Sequence, residues 1–410
     1  MKKLRRFFES RVKKIPIESD APRNEYYENV SVRFGIAQVV LFLLLFSFVI
    51  LSFLANTELI TYKNFYYFFK DLNASAEAVD IFESDSVSYP TDNDQSFALY
   101  RKGLAVAGNS SVTVFSATGR QILSVPISYR NPVAVGAGKY LLVYEAGGTQ
   151  YSLYNSDVQI HSGKTEYPIN GGTVSDSGML ALITASKEYT SVVSLYRGDF
   201  SLLADYNFKD KYVMDVSINS RGNRMGILCS TTQEGAFRTT FQLSEITRDS
   251  VKKIAEPVVA DSLGLSCSFT SSGKIAILCA DSVVYLTDSG KEAREAYKLD
   301  GLSVAHADVG LNGIALSAKT GTVAGESRVL VFDKDGGVSY DATVSDKIGQ
   351  IVFGERVVYW KTSDGVRRLN LLSKALQFTA CVTDDRVLLA VSDDEVLFCS
   401  PQKATYVGFD

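Results

Sequence analysis

Apolar positions along the chain follow two regimes. Residues 34–57 carry no charge, and the 20 positions 36–55 are apolar almost throughout. At a helical rise of 1.5 Å per residue, such a stretch spans about 30 Å, the thickness of bilayer hydrocarbon. Large apolar side chains on every face, rather than along one stripe, suit lipid better than a protein core. The second regime starts near residue 79. Helical periodicity disappears there, and short β-branched or aromatic runs alternate with Gly, Asp, Asn and Ser turns. That is the signature of many strands.

The strand runs recur about every 40 residues, the period of a repeat architecture. Ser175-Asp-Ser-Gly-Met-Leu-Ala-Leu-Ile-Thr184 aligns with Thr270-Ser-Ser-Gly-Lys-Ile-Ala-Ile-Leu-Cys279, and Asn219-Ser-Arg-Gly-Asn-Arg-Met-Gly-Ile-Leu-Cys229 aligns with both after one inserted residue. Each copy is a tight turn followed by an apolar strand. A further strand and turn come next, as in Val283-Val-Tyr-Leu-Thr287 before Asp-Ser-Gly and Arg328-Val-Leu-Val-Phe332 before Asp-Lys-Asp-Gly. A polar-flanked strand such as Gln121-Ile-Leu-Ser-Val125 closes the unit. Four-stranded antiparallel units in tandem predict an all-β propeller over 79–410, because closing the ring leaves only short, protected edges. The units fall at about 94–128, 129–168, 169–209, 210–257, 258–300, 301–344, 345–376 and 377–410. Eight blades are expected. Seven is the alternative, since the last two units are short.

Charge gives the apolar segment a direction. Residues 1–33 hold nine Lys/Arg and five Asp/Glu, a net of +4; residues 58–410 hold 33 and 41, a net of −8. The positive-inside rule then expects a cytoplasmic basic tail at 1–33, a signal-anchor span at 34–57 and the remainder outside the cell membrane. The apolar stretch exceeds the usual length of a signal-peptide core, and Ala55-Asn-Thr57 is a poor cleavage site. Leu4, Phe7, Phe8, Val12 and Ile15 share one helical face, which suits either an inner-leaflet helix or a solvated tail. Tyr62, Phe65, Tyr66 and Phe69 share a face within 58–78, where aromatic rings favour the membrane–water interface; packing beneath the ectodomain is the alternative. The partners expected on these grounds are a lipid bilayer and an unidentified protein or envelope polymer. The overall charge of −4 argues against nucleic acid.

One unit carries a resemblance. Val357-Val-Tyr-Trp-Lys-Thr-Ser-Asp-Gly365-Val-Arg-Arg-Leu-Asn370-Leu-Leu-Ser-Lys374-Ala-Leu resembles a quinoprotein-like or WD40-like propeller repeat. A basic tail, one span, an aromatic Tyr67-Phe-Phe-Lys-Asp-Leu72 collar and a propeller together resemble an uncharacterised bacterial family of membrane-anchored extracytoplasmic propellers. The resemblance implies a fold and a location, with no activity to carry over. The chain also departs from the better-known propellers. It lacks Trp-Asp and Gly-His dipeptides, and its single tryptophan, Trp360, cannot supply the blade-docking tryptophans of quinoprotein enzymes.

Catalytic signatures are sparse. HExxH, GxSxG, P-loop and Rossmann patterns are absent. Asp92-Asn-Asp94-Gln-Ser96 opens like a calcium loop but has Phe97 at the sixth position and Gly103 at the twelfth, so a polar linker is expected. Asp333-Lys-Asp335-Gly-Gly337, Asp384-Asp385, Asp393-Asp394 and Arg197-Gly-Asp199 read as turns. His161 is expected in a polar loop and His306 on an innermost strand. Cys229 and Cys279 occupy the repeat slot of Thr184 and are expected to be small buried hydrophobes rather than disulfide or metal partners; Cys267 could face Cys279 across a hairpin, although a direct pair needs an awkward loop length. No metal or cofactor is expected. The resulting reading is a non-catalytic binding or scaffold module. The inserted turn 231–238, with Gln233, Glu234, Phe237 and Arg238, is the candidate binding loop. A glycan-acting enzyme and a sensor signalling through a membrane partner are the alternatives.

Overall fold

The computed structural model describes residues 25–55, 86–101, 103–155, 158–319, 326–382 and 387–409, with side chains of the helix described for 33–48. The chain divides into two units, Met1–Asn73 and Ala74–Asp410. The first contains one described helix, α1 (Glu25–Ala55). Phe34, Ile36 and the consecutive side chains from Val40 to Phe46 are all exposed, so apolar groups surround this helix. Among the described residues, no helix is long and apolar enough to cross a membrane. The aromatic face of Tyr62, Phe65, Tyr66 and Phe69 lies outside the described residues.

The second unit is a β-propeller of eight four-stranded antiparallel blades, the fourth of which adds a short fifth strand, Val258–Ala260. Blades 1 to 7 occupy 96–126, 132–164, 169–208, 212–260, 264–298, 303–344 and 350–380. The first strands of successive blades contact one another around the ring, so the first strand of each blade is innermost and the fourth outermost. Strands alternate in direction. Turns between strands 2 and 3 therefore share one face of the ring with the links between blades, here called the link face. The turns between strands 1 and 2, and between 3 and 4, share the other.

Blade burial explains the sequence pattern. A second strand such as Leu180–Thr184 or Ile275–Cys279 is buried at every position. Neighbouring blades cover both its sides, so it reads as a continuous apolar run instead of an alternating one. Fourth strands alternate, as in Leu202–Phe208. The aligned turns share one geometry. Ser175 N donates to Met179 O and Thr270 N to Lys274 O, with Gly178 and Gly273 both at φ +85°. In the third copy, the Asn219 side chain accepts from the Asn223 and Arg224 amides, which accommodates the inserted residue.

Boundaries depart from expectation only at the end of the ring. The fourth strand of blade 7 is Leu376–Ala380, so the unit expected at 345–376 runs longer. Blade 8 takes three strands from 387–408 and its outermost strand from Ser86–Ser88, paired with Lys403–Thr405. Period counting along the chain cannot reveal a blade assembled from both ends. Val87 and Tyr89 are buried against Leu104, Phe115, Leu397 and Cys399. The Tyr89 hydroxyl donates to Ser400 O at 2.6 Å.

The cysteines follow the repeat. Cys229, Cys267, Cys279 and Cys399 are buried and Cys381 is half-buried, and none of the five forms a disulfide. Cys279 lies opposite Gly264 and Cys267 opposite Ile277, so the two sulfurs have no direct register. Burial pushes the Cys229 and Cys279 thiols up to about 12.

Closure through three residues makes Val87 a sensitive position. Val87→Ala removes buried methyl groups and leaves a void, for an expected loss of about 2 kcal/mol. The exposed Ser88→Ala should change stability by less than about 0.5 kcal/mol. Denaturant unfolding of both variants checks this. Equal stabilities would mean that the three-residue closing strand adds nothing to stability.

Candidate functional site

Three places on the ring gather functional side chains. The central wall is the first. Here residues of one innermost strand hydrogen-bond the next. Ser96 Oγ accepts from Ala134 N at 3.0 Å, and Asp308 Oδ2 accepts from Phe353 N at 2.7 Å. Asp215 Oδ2 accepts from Ser266 Oγ and from Cys267 N, at 2.8 and 2.9 Å. The Gln350 amide group donates to Leu388 O and accepts from Leu388 N, both at 2.8 Å. Burial raises the Asp215 and Asp308 carboxyls above the ordinary value, with their amide partners pulling the other way. Such shifts also mark catalytic acids, but these two sit on blades 4 and 6 and each gives its Oδ2 to the neighbouring blade. His306 is on the innermost strand of blade 6 (Ser303–Gly310), as expected, and bonds the Ile348 backbone. Burial lowers its pKa, and Lys319 and Lys361 act in the same direction.

The second place is blade 4. Its second and third strands, Arg224–Gln233 and Ala236–Ile246, are 10 and 11 residues long, against five to seven in the other blades. The expected loop 231–238 is therefore corrected to a paired hairpin. Thr231 faces Arg238, Thr232 faces Phe237 and Gln233 faces Ala236. Only Glu234 and Gly235 form the turn, with φ +52° and +83°, the backbone of a type I′ hairpin. The Glu-Gly pair, flanked by β-formers, was the available sequence signal. Arg238 is fixed to Asp261 Oδ1 and to Gln233 Oε1, both at 3.1 Å, while Phe237 remains 50% exposed. At the hairpin's foot, Glu256 binds Lys211 at 2.5 Å and Lys253 at 2.8 Å. Burial alone would raise the Glu256 carboxyl, and the two lysines outweigh it and hold it low.

The third place is a groove of about 490 Å³ between blades 2 and 3, which the sequence reading missed. Blades diverge outward, so the gap between neighbours widens and large residues on outer strands fill it. Blade 1 uses Ile122, Leu123 and Val125 for this, and blade 3 uses Leu203, Tyr206 and Phe208. The fourth strand of blade 2, Val158–Lys164, packs Ile160 into the gap but ends in Ser-Gly-Lys, which leaves the link-face end of the gap unfilled. Gly163 lies opposite Tyr151, whose ring an added Cβ would meet at 2.6 Å. That small-residue tail on an outer strand was the missed signal.

Below the groove is an aromatic stack. His161, expected in a loop, is corrected to the fourth strand of blade 2. Its ring stacks on Phe200 at 4.4 Å, and its Nε2 lies 3.3 Å from the Tyr151 hydroxyl. Burial lowers the His161 pKa. Phe200 sits at φ +70° in the turn after the third strand of blade 3. Blade 6 places Gly336, at φ +84°, at the equivalent point of its turn. A bulky residue in that region costs about 1–3 kcal/mol. The ring contact with blade 2 offsets part of this.

The remaining candidate turns are structural. Asp333 Oδ1 accepts from the Asp335 and Gly337 amides. Asp92 Oδ2 binds Ser110, Asp199 binds Ser201, and Asp393 pairs with Arg356. Asp384 and Asp385 lie outside the described residues. Among the described residues, no cluster of three or more His, Cys, Asp or Glu could hold a metal.

The sequence pattern of a family of unknown function, DUF5711, matches residues 80–370. The chain belongs to that family. The DUF5711 match starts just ahead of the closing strand and ends with the third strand of blade 7. No curated protein matches the chain in sequence. Solved structures resemble it in fold. Sqt1 of Saccharomyces cerevisiae aligns with a TM-score of 0.58 at 11% identity, over 78% of this chain and 98% of that one. Sqt1 of Chaetomium thermophilum, bound to the N-terminus of the ribosomal protein L10, gives 0.53 at 10%, over 80% and 100%. The C-terminal WD40 domain of Sif2 gives 0.55 at 12%, over 81% and 99%. The DUF5711 propeller is thus WD40-like in fold without the Trp-Asp and Gly-His marks.

The aromatic stack yields a pH prediction. Phe200→Gly should keep the turn and expose His161, so its pKa should rise toward about 6.5. In the parent protein the lowered His161 pKa means the unfolded state binds the proton more tightly. His161 therefore subtracts stability as pH falls below about 6.5, and the variant should show a shallower loss. With only two histidines in the chain, their ring signals can be followed by NMR titration. An unchanged His161 titration would show that Phe200 does not exclude water from it.

Proposed function

We propose that this chain is a membrane-anchored, extracytoplasmic, non-catalytic binding scaffold whose partner is a protein or envelope polymer docking on the link face. The blade 4 hairpin carries the reading. It extends a rigid, fully paired ribbon with an exposed aromatic at its end, and rigid aromatic anchors dominate protein recognition. The ordering cost of binding is small, because Arg238 and Gln233 are already held. Support from elsewhere is of a general kind. Sqt1 bound to the L10 N-terminus shows a ring of this fold holding a protein segment. The titratable groups of the central wall are engaged in joining blades, which favours binding over catalysis. The anchoring part of the proposal rests on the charge-free residues 34–57, the apolar side chains exposed on α1 and the +4 tail preceding them.

A photo-crosslinking residue at position 237 in intact cells tests the docking surface. It should give a discrete adduct that a probe at Asp199, on the opposite face, does not give. A probe at Glu234 should capture the same partner, and adding Phe237→Ala should reduce the yield of that second adduct at least tenfold. Adducts of equal yield at 199 and 237 would sink the proposed surface. A C-terminal epitope inaccessible to antibody on intact protoplasts would overturn the orientation.

A further inference from the structure

We propose that the groove between blades 2 and 3 is a binding site for a short, neutral oligosaccharide. This deepens the binding reading, and it concerns a site separate from the blade 4 hairpin. The volume of about 490 Å³ lies in the ordinary range for ligand pockets, but the lining is unusual. Pockets for apolar ligands are mostly hydrophobic. This one is lined mainly by hydroxyl, carboxamide and carboxylate groups interleaved with tyrosines.

The floor is the outer half of the blade 3 sheet. Ser194 and Asp205 are cross-strand partners, as are Val192 and Asn207. Asp205 and Asn207 are two residues apart on one strand, so their side chains project from the same face about 7 Å apart. Asp205 accepts from Ser194 Oγ at 2.6 Å, which leaves most of its acceptor capacity unused. Asn207 is exposed and offers both a donor and an acceptor. Vicinal sugar hydroxyls need this mixture of acceptors and donors.

Tyrosines supply the apolar surface. Tyr196 stands on the floor, and Tyr167 and Tyr189 come from the two link-face segments at the mouth. The C–H face of a pyranose packs against such rings. The mouth is held in place before any ligand arrives. Ser186 Oγ accepts from the Glu188 and Tyr189 amides, and Thr165 Oγ1 donates to Tyr167 O at 2.7 Å.

Charge and backbone chemistry narrow the ligand. Lys164 and Lys187 oppose Glu166, Glu188 and Asp205, a net of −1, so neither a phosphate nor a strongly acidic glycan is matched. An extended peptide would need a free backbone ladder. The polar groups of the floor are side chains on the face of the blade 3 sheet, so a peptide pairing with the outer edge of Leu202–Phe208 would leave them unused.

The test uses the full chain in a detergent without a sugar headgroup. The probes are neutral di- to tetrasaccharides of hexoses and N-acetylhexosamines, presented as an array and followed by calorimetry. At least one should bind. Asp205→Ala and Tyr189→Ala should each weaken it tenfold or more, and Asn207→Trp should abolish binding by filling the groove. The exposed positions 205 and 207 should leave thermal unfolding unchanged, so loss of binding there cannot be loss of fold. Retention of no neutral oligosaccharide would overturn the assignment. So would binding that is indifferent to these variants, or selective retention of acidic glycans or peptides. The position 237 crosslink is independent of the groove, so each proposal can fail without the other.

Discussion

Blades that radiate from an axis diverge, and every part of this structure answers to that geometry. Near the axis, neighbouring sheets nearly touch. Small side chains and sideways hydrogen bonds such as Asp308 to Phe353 are sufficient there. At the second strand both faces meet close neighbours, and continuous burial follows. At the rim the gap must be filled by bulk, and after blades 1 and 3 it is filled by Ile, Leu, Val, Tyr and Phe from fourth strands. Where the bulk is withheld, as at Ser162 and Gly163, the divergence becomes a groove.

This geometry also separates what the sequence disclosed from what it hid. Second strands were legible because two-sided burial writes an unbroken apolar run. The turns before them were legible because a residue at positive φ calls for glycine, as at Gly178 and Gly273. Local chemistry therefore revealed the repeat and the eight units. The blade assembled from Ser86–Ser88 and 387–408 was invisible, since no local pattern links positions more than three hundred residues apart. The hairpin at 231–238 looked like a loop because Gln, Glu and Gly are turn residues in composition, while the flanking Thr and Phe decide the outcome by pairing across it.

The groove was hidden for a different reason. It is defined by the absence of side chains on one strand and by polar groups contributed from three other segments, which meet only when the blades stand side by side. His161 shows the same effect in miniature. A polar neighbourhood in sequence suggested a loop, yet strand pairing and Phe200 place the ring in a half-buried stack. The unfavourable backbone of Phe200 is intelligible only across the blade boundary, because nothing within blade 3 requires an aromatic at that turn.

The closing strand has a consequence for the order of events during synthesis. Ser86–Ser88 emerge from the ribosome before any blade, whereas their partner Lys403–Thr405 emerges almost last. Seven blades can form while the first strand waits, and the ring stays open with an unpaired edge until the end. Contacts this distant form slowly, because a long loop must close before its reward arrives. The nascent chain therefore passes through an open-ring state, in which the apolar faces of blades 1 and 7 that blade 8 will cover are exposed to other chains, and that state would gain from a chaperone.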